Sequence, residues 1–576
     1  MACKGHETVP GDDVYGPGTY IDKDVLPAPE DTRRIFEVLA SRTPGFTKDS
    51  GLWDTVKFEG RPDPMVPGPM KAPLVSAALH AMCGLVGNEL LEIRDGKPAK
   101  QSSVTVNTDH AGIWLGSTFT TYVEGSDLST LARSRSLSKI FARDFEQGFG
   151  VGPLAGRATA LYPTNDSRVW YQLHGSLDAS KTLKSMAIDM ETPLQSLAEG
   201  YNYIKEHVQK WSADELEMHN VRHGLCGSIC YSPEGWRATE MGKRLAAHPL
   251  VNYNHESYAR PTPAIPLTQG PDRRPLAGIK VVEMVRIIAG PTIGVTLASF
   301  GADVIRVNCS KLVDLNVLQL TLNAGKRTVD LDISKENDMS VLNELLNGAD
   351  VFIQGFRYGS LERKGLGLQS LLEMAAKRNK GIIYVDENCY GADGPFAERP
   401  GWQQIGDAAS GASYVMGKFW GYDEGTGVLP PLPISDMMTG VVGALATMLA
   451  IRDRSLNGGS YHVVSSLVAG DTILLDPEVG LYPMNVAQST LDQFKFERSS
   501  PDQFVSEILL QVVDGWKRVF PEYLARDSPF MTSFTDTPWG QMDLLKPVAQ
   551  LADEEATPRW RTGPVPICQN STISWA

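Results

Sequence analysis

Residues 275–308 read PLAGIKVVEMVRIIAGPTIGVTLASFGADVIRVN, and their pattern decides the fold class. Residues 279–284 form a short β-prone run, which predicts a strand. Ala289-Gly290-Pro291 breaks that run. Residues 292–300 then read as a helix closed by Gly301, and residues 303–307 predict a second strand. Strand, tight turn, helix and strand in about 30 residues make the first unit of a parallel α/β domain. Open parallel sheets bind ligands at the carboxyl ends of their strands, where this turn lies. Ala-Gly-Pro replaces the G-x-G-x-x-G of a dinucleotide fingerprint, so the turn is not one.

At 576 residues the chain is too long for one ordinary domain. Its 42% hydrophobic and 21% charged residues are those of a soluble globular enzyme. The net charge is −14 with no Lys/Arg block, so nucleic acid is not an expected partner. An anionic ligand must be held by a few local arginines and by backbone amides. The seven cysteines are odd in number and scattered, which fits reduced thiols inside the cell. Cys226 and Cys230 form a C-x3-C pair without a second pair, so no metal site is expected. The N-terminus has no apolar core, no run approaches 18 apolar residues, and the final tripeptide is not a peroxisomal signal. These features predict a cytoplasmic protein with no membrane partner.

Taken in order, residues 1–30 read as a mobile lead-in. Residues 32–41 and 74–93 predict helices, the second long and buried, and 103–107 a strand. Residues 147–153 are a glycine-rich loop, followed by a hairpin around Thr164-Asn165-Asp166 and by helices over 191–209 and 213–220. The prolines of 252–274 suggest a linker. Beyond 308, strands are expected over 328–333, 350–354, 381–385 and 461–465, and helices over 336–346 and 368–378. Residues 408–417 read as small and flexible.

One stretch looks like another. Residues 73–95 read PLVSAALHAMCGLVGNELLEIRD, and residues 431–453 read PLPISDMMTGVVGALATMLAIRD. A constant offset pairs Pro73 with Pro431, Leu91 with Leu449 and the two Ile-Arg-Asp triplets, and runs without a gap to Val106 and Val464. Either two Ala/Leu helices coincide, or residues 31–140 are a degenerate copy of the core. The offset sets Ala78 opposite Asp436.

The phrases PLAGIKVVEM, AGP and FGADVIRV resemble the opening of the class III CoA-transferases, which include formyl-CoA transferase, carnitine CoA-transferase and 2-methylacyl-CoA racemase. LYPTNDSRVWYQLHG and LAAHPLV resemble the family's small domain, and TPWGQMDLLKPVAQL its C-terminal tail. The resemblance implies a Rossmann-like α/β domain with a large parallel sheet, plus a smaller α+β domain. Here the small domain (141–251) comes first, then the linker (252–274), the large domain (275–475) and a tail (476–576) packing on it.

Asp436 follows the proline-rich turn 429–433 and begins an apolar helix, beside the backbone amides and positive end of its dipole. Taken alone it reads as an N-cap. The resemblance implies more: an aspartate here is the nucleophile that attacks an acyl-CoA and ends as an aspartyl-CoA thioester, from which a carboxylic acid takes the CoA. Amides for the oxyanions would come from the helix start, Ser410-Gly411 or residues 148–152. For CoA the resemblance points to Arg286, Ile287 and Ala289 in the turn, Arg306 in the second strand, Phe356, and Arg363; Arg306 and Arg363 would pair with phosphates. Lys326-Arg327 also matches a family phrase, with structural pairing as the alternative.

The chain departs from the pattern at three places. Gln354-Gly355-Phe356 stands for Glu-Asn-Phe, Asn308 replaces a frequent glutamate, and Gly401-Trp402-Gln403 replaces G-[HY]-D. The family's racemases have histidine at the Trp402 position, and tryptophan cannot exchange a proton there. The expected function is CoA transfer from an acyl-CoA to a carboxylic acid by a homodimer, with CoA as substrate and no tightly bound cofactor. The alternatives are a 2-methylacyl-CoA racemase and a non-catalytic acyl-CoA-binding protein.

Overall fold

The structure, a computed structural model, describes residues 6–146, 150–258 and 260–575. Its centre is a seven-stranded sheet. In chain order the strands are β1 (Asn252–Glu256), β2 (Lys280–Met284), β3 (Asp303–Asn308), β4 (Lys326–Asp330), β5 (Val351–Gln354), β6 (Ile383–Asn388) and β7 (Ser460–Ser466). They lie side by side as β1-β7-β6-β5-β2-β3-β4, with every neighbouring pair parallel except β1 against β7. The decisive stretch thus forms the β2–β3 unit that the pattern predicts. Continuous Val/Ile runs suit such strands, because helices cover both faces.

Ala289-Gly290-Pro291, expected to break the chain, instead opens helix α2 (Ala289–Ser299; α1, Ala72–Asp95, precedes it). Pro291 is tolerated because the first-turn N–H groups have no helical partner anyway. Residues 408–417 are not a flexible loop either. They belong to α3 (Gln403–Ser410) and the helix Ala412–Phe419, joined at Gly411 with φ +100° and almost wholly buried. Small residues allow close helix packing as readily as loop formation, and here packing prevails.

Helix α4 (Ile434–Asn457) is buried along most of its length and packs against both α1 and α2. α1 and α4 are each long and apolar enough to cross a membrane by length and composition, although neither is an unbroken apolar run. Their most apolar windows are 94% and 100% buried within the protein, so they serve as core helices. Strand Val56–Glu59 pairs in parallel with strand Val104–Asn107, with α1 between them and helix Thr108–Trp114 after them. Strand β6, helix α4, strand β7 and helix α5 (Leu467–Thr472) repeat that order. The first helix starts one turn earlier in the shared register, because Pro430, Pro431 and Pro433 keep the chain before Ile434 out of the helix.

Other boundaries shift for physical reasons. Residues 6–30, expected as a mobile lead-in, pack into the fold: strand Tyr20–Asp22 pairs with Thr8–Pro10, and the buried Tyr15 hydroxyl donates to the Tyr482 carbonyl. Buried Lys71 clamps this segment by pairing with Asp22 and Asp31. The expected linker contributes β1 before it becomes irregular. The helix expected over 191–209 is Leu197–Val208, because Ser196 caps it by accepting from the Glu199 N–H. The predicted hairpin forms from strands Ala160–Pro163 and Trp170–His174, with Cys226–Ile229 as third strand. The tail packs more widely than on the large domain alone. Strand Gly540–Leu545 pairs with Tyr122–Val123, and Gln550–Leu551 pairs with the Val104 strand.

Candidate active site

The turn before α4 sets the site. Gln403, at the start of α3, donates from Nε2 to the Leu432 carbonyl (3.1 Å) and to Asp407 Oδ2 (3.1 Å), which fixes the turn against α3. Asp436 is the third residue of α4, and its side chain makes no hydrogen bond to any described residue. It is only 8% exposed. Burial disfavours its charged form and raises its pKa to about 7, despite the helix dipole. A carboxylate with so high a pKa is more basic and more nucleophilic than an exposed one.

Three further carboxyls surround it, none of them singled out by the sequence. Asp407 on α3 and Asp471 on α5 are fully enclosed, and both are pushed well above the usual carboxylate range by burial. The charge of Asp471 raises Asp407 further. Glu387 is next to last in β6, half-buried, and raised to about 8 by burial first and the Asp436 charge second. Nothing in its local pattern (an acid in a strand between Asp386 and Asn388) marked it; only the strand pairing brings it to the edge above which Asp436 lies.

The hairpin of strands Ala160–Pro163 and Trp170–His174 supplies one wall. Trp402 stacks on His174 with centroids 5.6 Å apart, and its Nε1–H donates to Ser176 Oγ at 3.4 Å. His174 Nδ1 accepts from the Ser176 N–H (2.8 Å), so Nε2–H donates to Gln404 Oε1 (3.1 Å). Burial lowers His174 to about 4, which keeps it neutral. His174 is thus a satisfied structural residue, and it holds Trp402 against the hairpin. Ser176 has φ +51°, a conformation uncommon for a side-chain-bearing residue, and its hydroxyl reaches Cys226 Sγ at 3.4 Å. Arg357 closes the same wall by donating to the Gly224 carbonyl at 2.7 Å.

The CoA candidates divide. Beside the β2 turn lies a small pocket, partly open to solvent, lined among others by Arg286, Asn308, Asp314 and Phe356. Arg286 lies over the Phe356 ring, 5.7 Å from its centroid, and donates to the Val313 carbonyl. Phe356 is held from behind, because its N–H donates to Gln354 Oε1 at 2.8 Å. Ile287 has φ +66°, a strained conformation for a β-branched residue. Asp314 Oδ1 accepts its N–H and Gln319 Nε2 donates to its carbonyl, so the strain is locked in. Ala289 begins α2, whose first-turn amides have no helical acceptor.

Arg306 requires a correction. It is fully buried and donates to Gln319, Asn323 Oδ1 (2.7 Å), Asp314 Oδ2 (2.8 Å) and the Val285 carbonyl (3.3 Å). Those bonds occupy its guanidinium inside the protein, so it braces the turn and does not reach a phosphate. Lys326 is likewise enclosed by Glu283 Oε1 (2.6 Å) and the Pro291 carbonyl (2.7 Å). Arg363 stands exposed in the turn Glu362–Lys364, outside the lining of the pocket. Gly411 is covered by Pro233, which a Cβ there would approach within 2.6 Å. Residues 147–149 of the glycine-rich loop lie outside the described residues.

Comparison with known proteins identifies the family. Residues 276–502 match the family model described as CoA-transferase family III. An acyl-CoA transferase of Gibberella moniliformis (strain M3125 / FGSC 7600) is 45% identical over 98% of this chain and 98% of its own. The acetyl-coenzyme A transferase nodX of Hypoxylon pulicicidum is 34% identical over 72% of this chain and 70% of its own. The beta subunit of succinyl-CoA--L-malate CoA-transferase from Chloroflexus aurantiacus (strain ATCC 29366 / DSM 635 / J-10-fl) is 32% identical over 34% and 49%. The 45% relationship covers 98% of the chain, well beyond the residues 276–502 that the family model matches. The chain belongs to the class III CoA-transferase family.

Proposed function

We propose that the protein transfers CoA from an acyl-CoA donor to a carboxylic acid acceptor through covalent attachment to Asp436. The observation that carries this reading is the Asp436 carboxyl itself: buried, free of side-chain hydrogen bonds to described residues, and set in the first turn of α4 beside the carboxyl edge of the sheet. Ionised, it attacks the thioester carbonyl to give a mixed anhydride and CoA thiolate. The thiolate returns to the Asp436 acyl carbon, releasing the donor acid and leaving an aspartyl-CoA thioester. The acceptor carboxylate repeats these steps in reverse order and departs as the new acyl-CoA. The α4 amides stabilise each oxyanion.

Arg286, Ile287, Ala289 and Phe356 hold the CoA nucleotide at the β2 turn, and exposed Arg363 makes a phosphate contact from the neighbouring loop. Trp402 disfavours racemisation, because no proton-exchanging group occupies its place. A homodimer, the assembly that the family resemblance implies, belongs to the same proposal and is tested by mass in solution. For the reaction, the protein is incubated with one acyl-CoA and a panel of isotopically labelled free acids. Label appearing in a new acyl-CoA supports transfer; inversion of a 2-methylacyl-CoA without exchange of acids contradicts it.

A further inference from the structure

Two carboxyls at the carboxyl edge of the central sheet make no hydrogen bond to a described residue: Asp436 and Glu387. The backbone makes room for the second. Gly355 follows β5, next to β6, and a Cβ on it would lie 2.7 Å from Glu387 Oε2. Any side chain at position 355 would therefore displace the Glu387 carboxyl. The chain's departure to glycine at 355 and the presence of an acid at 387 form one arrangement.

Resting on Asp436 as nucleophile, we propose that Glu387 is a second catalytic residue, whose carboxylic acid donates a hydrogen bond to the oxyanion formed when Asp436 attacks the thioester. An Asp436 oxygen supplies an electron pair to the carbonyl carbon, and the C–O bond forms as the C=O π pair moves onto oxygen. Glu387 O–H donates to that oxygen and keeps its proton. The C=O bond re-forms, the C–S bond breaks, and CoA leaves as thiolate with the bonding pair. No proton changes hands and no further reactant is needed. A neutral acid in a partly desolvated site serves this role better than an ionised one, which would repel the oxyanion.

The surroundings keep Glu387 neutral. Asp436 on α4 and Asp386 on its own strand both raise it, on top of burial. On β7, His462 faces Asp386 at 2.6 Å and is occupied there, and on β5 Gln354 is bonded to Asp386. Cys389, just past the end of that strand, is itself held protonated by burial. Among the described residues no lysine or arginine pairs with Glu387.

The test is single-turnover formation of the Asp436 adduct from an acyl-CoA, trapped with hydroxylamine, from about pH 6 to pH 10. Glu387→Leu is expected to slow it on the order of 10²-fold with CoA affinity unchanged. Glu387→Gln, a donor that cannot ionise, is expected to stay within about tenfold of wild type and to lose the decline at high pH. Gly355→Ala, which pushes the carboxyl aside, falls between them. A Leu variant as fast as wild type, or a Gln variant that keeps the high-pH decline, overturns the proposal; the Gln result stands even if the Leu variant does not fold. Wild type that binds acyl-CoA yet gives no adduct overturns the Asp436 reading itself, a separate outcome.

Discussion

Arg306 Nη2 lies 2.8 Å from Asp314 Oδ2 with both side chains buried, and Asp314 Oδ1 in turn accepts the N–H of strained Ile287. One buried ion pair therefore holds the conformation of the turn that faces the pocket. Arg306→Ala strands Asp314 without its partner, and is expected to destabilise the protein by about 3–5 kcal/mol. Arg286→Ala, at the pocket wall, is expected to leave stability nearly unchanged and to weaken CoA binding about tenfold. Chemical unfolding and calorimetric titration with CoA separate the two roles.

Activity carries its own pH signature. Asp436 must be ionised and titrates at about 7, while Glu387 must be protonated and titrates at about 8. The pH dependence of kcat/KM is therefore expected to be bell-shaped, with its maximum between those values. A profile flat from pH 6 to 9 would contradict both assignments.

The same burial affects stability. Asp436 binds its proton more tightly folded, at about 7, than as an unfolded carboxylate at its ordinary value near 4. The folded state thus holds the extra proton between those values, and the stability contributed by Asp436 is lost as pH rises through 7. Asp436→Asn removes the penalty. In urea unfolding it is expected to be more stable than wild type at pH 8, by a few kcal/mol, and indistinguishable at pH 3.

The stretch that shares the register of α4 offers a control. Ala78 occupies the register position of Asp436 and is fully buried, in the second turn of its helix where Asp436 lies in the first turn of α4. Ala78→Asp is expected to place an unpaired carboxyl in the core, to lower stability, and to create no second adduct by intact mass.

Much of this fold was legible because its strands are nearly continuous Val/Ile runs separated by glycines, as 275–308 illustrates. The first turn of α2 was not, since Gly290-Pro291 carries opposite signals inside and outside a helix. Of the candidate site, Asp436 was marked by the family resemblance, since its place between a proline turn and an apolar helix taken alone reads as an N-cap. Glu387 could not be read, because only the β5–β6 pairing and the missing side chain at Gly355 give it a position. Arg306 misled for a related reason: an arginine in a strand looks the same whether it faces a ligand or, as here, an inward ring of Asp314, Gln319 and Asn323.

The most direct measurement is intact mass after incubation with a panel of acyl-CoAs and hydroxylamine, wild type beside Asp436→Asn. Hydroxylamine converts an activated aspartyl group to a hydroxamate, a gain of about 15 Da. A gain confined to wild type and mapped to Asp436 is the predicted result. A protein that binds acyl-CoA and gains no mass, or gains it equally in the Asn variant, would contradict covalent transfer through this residue.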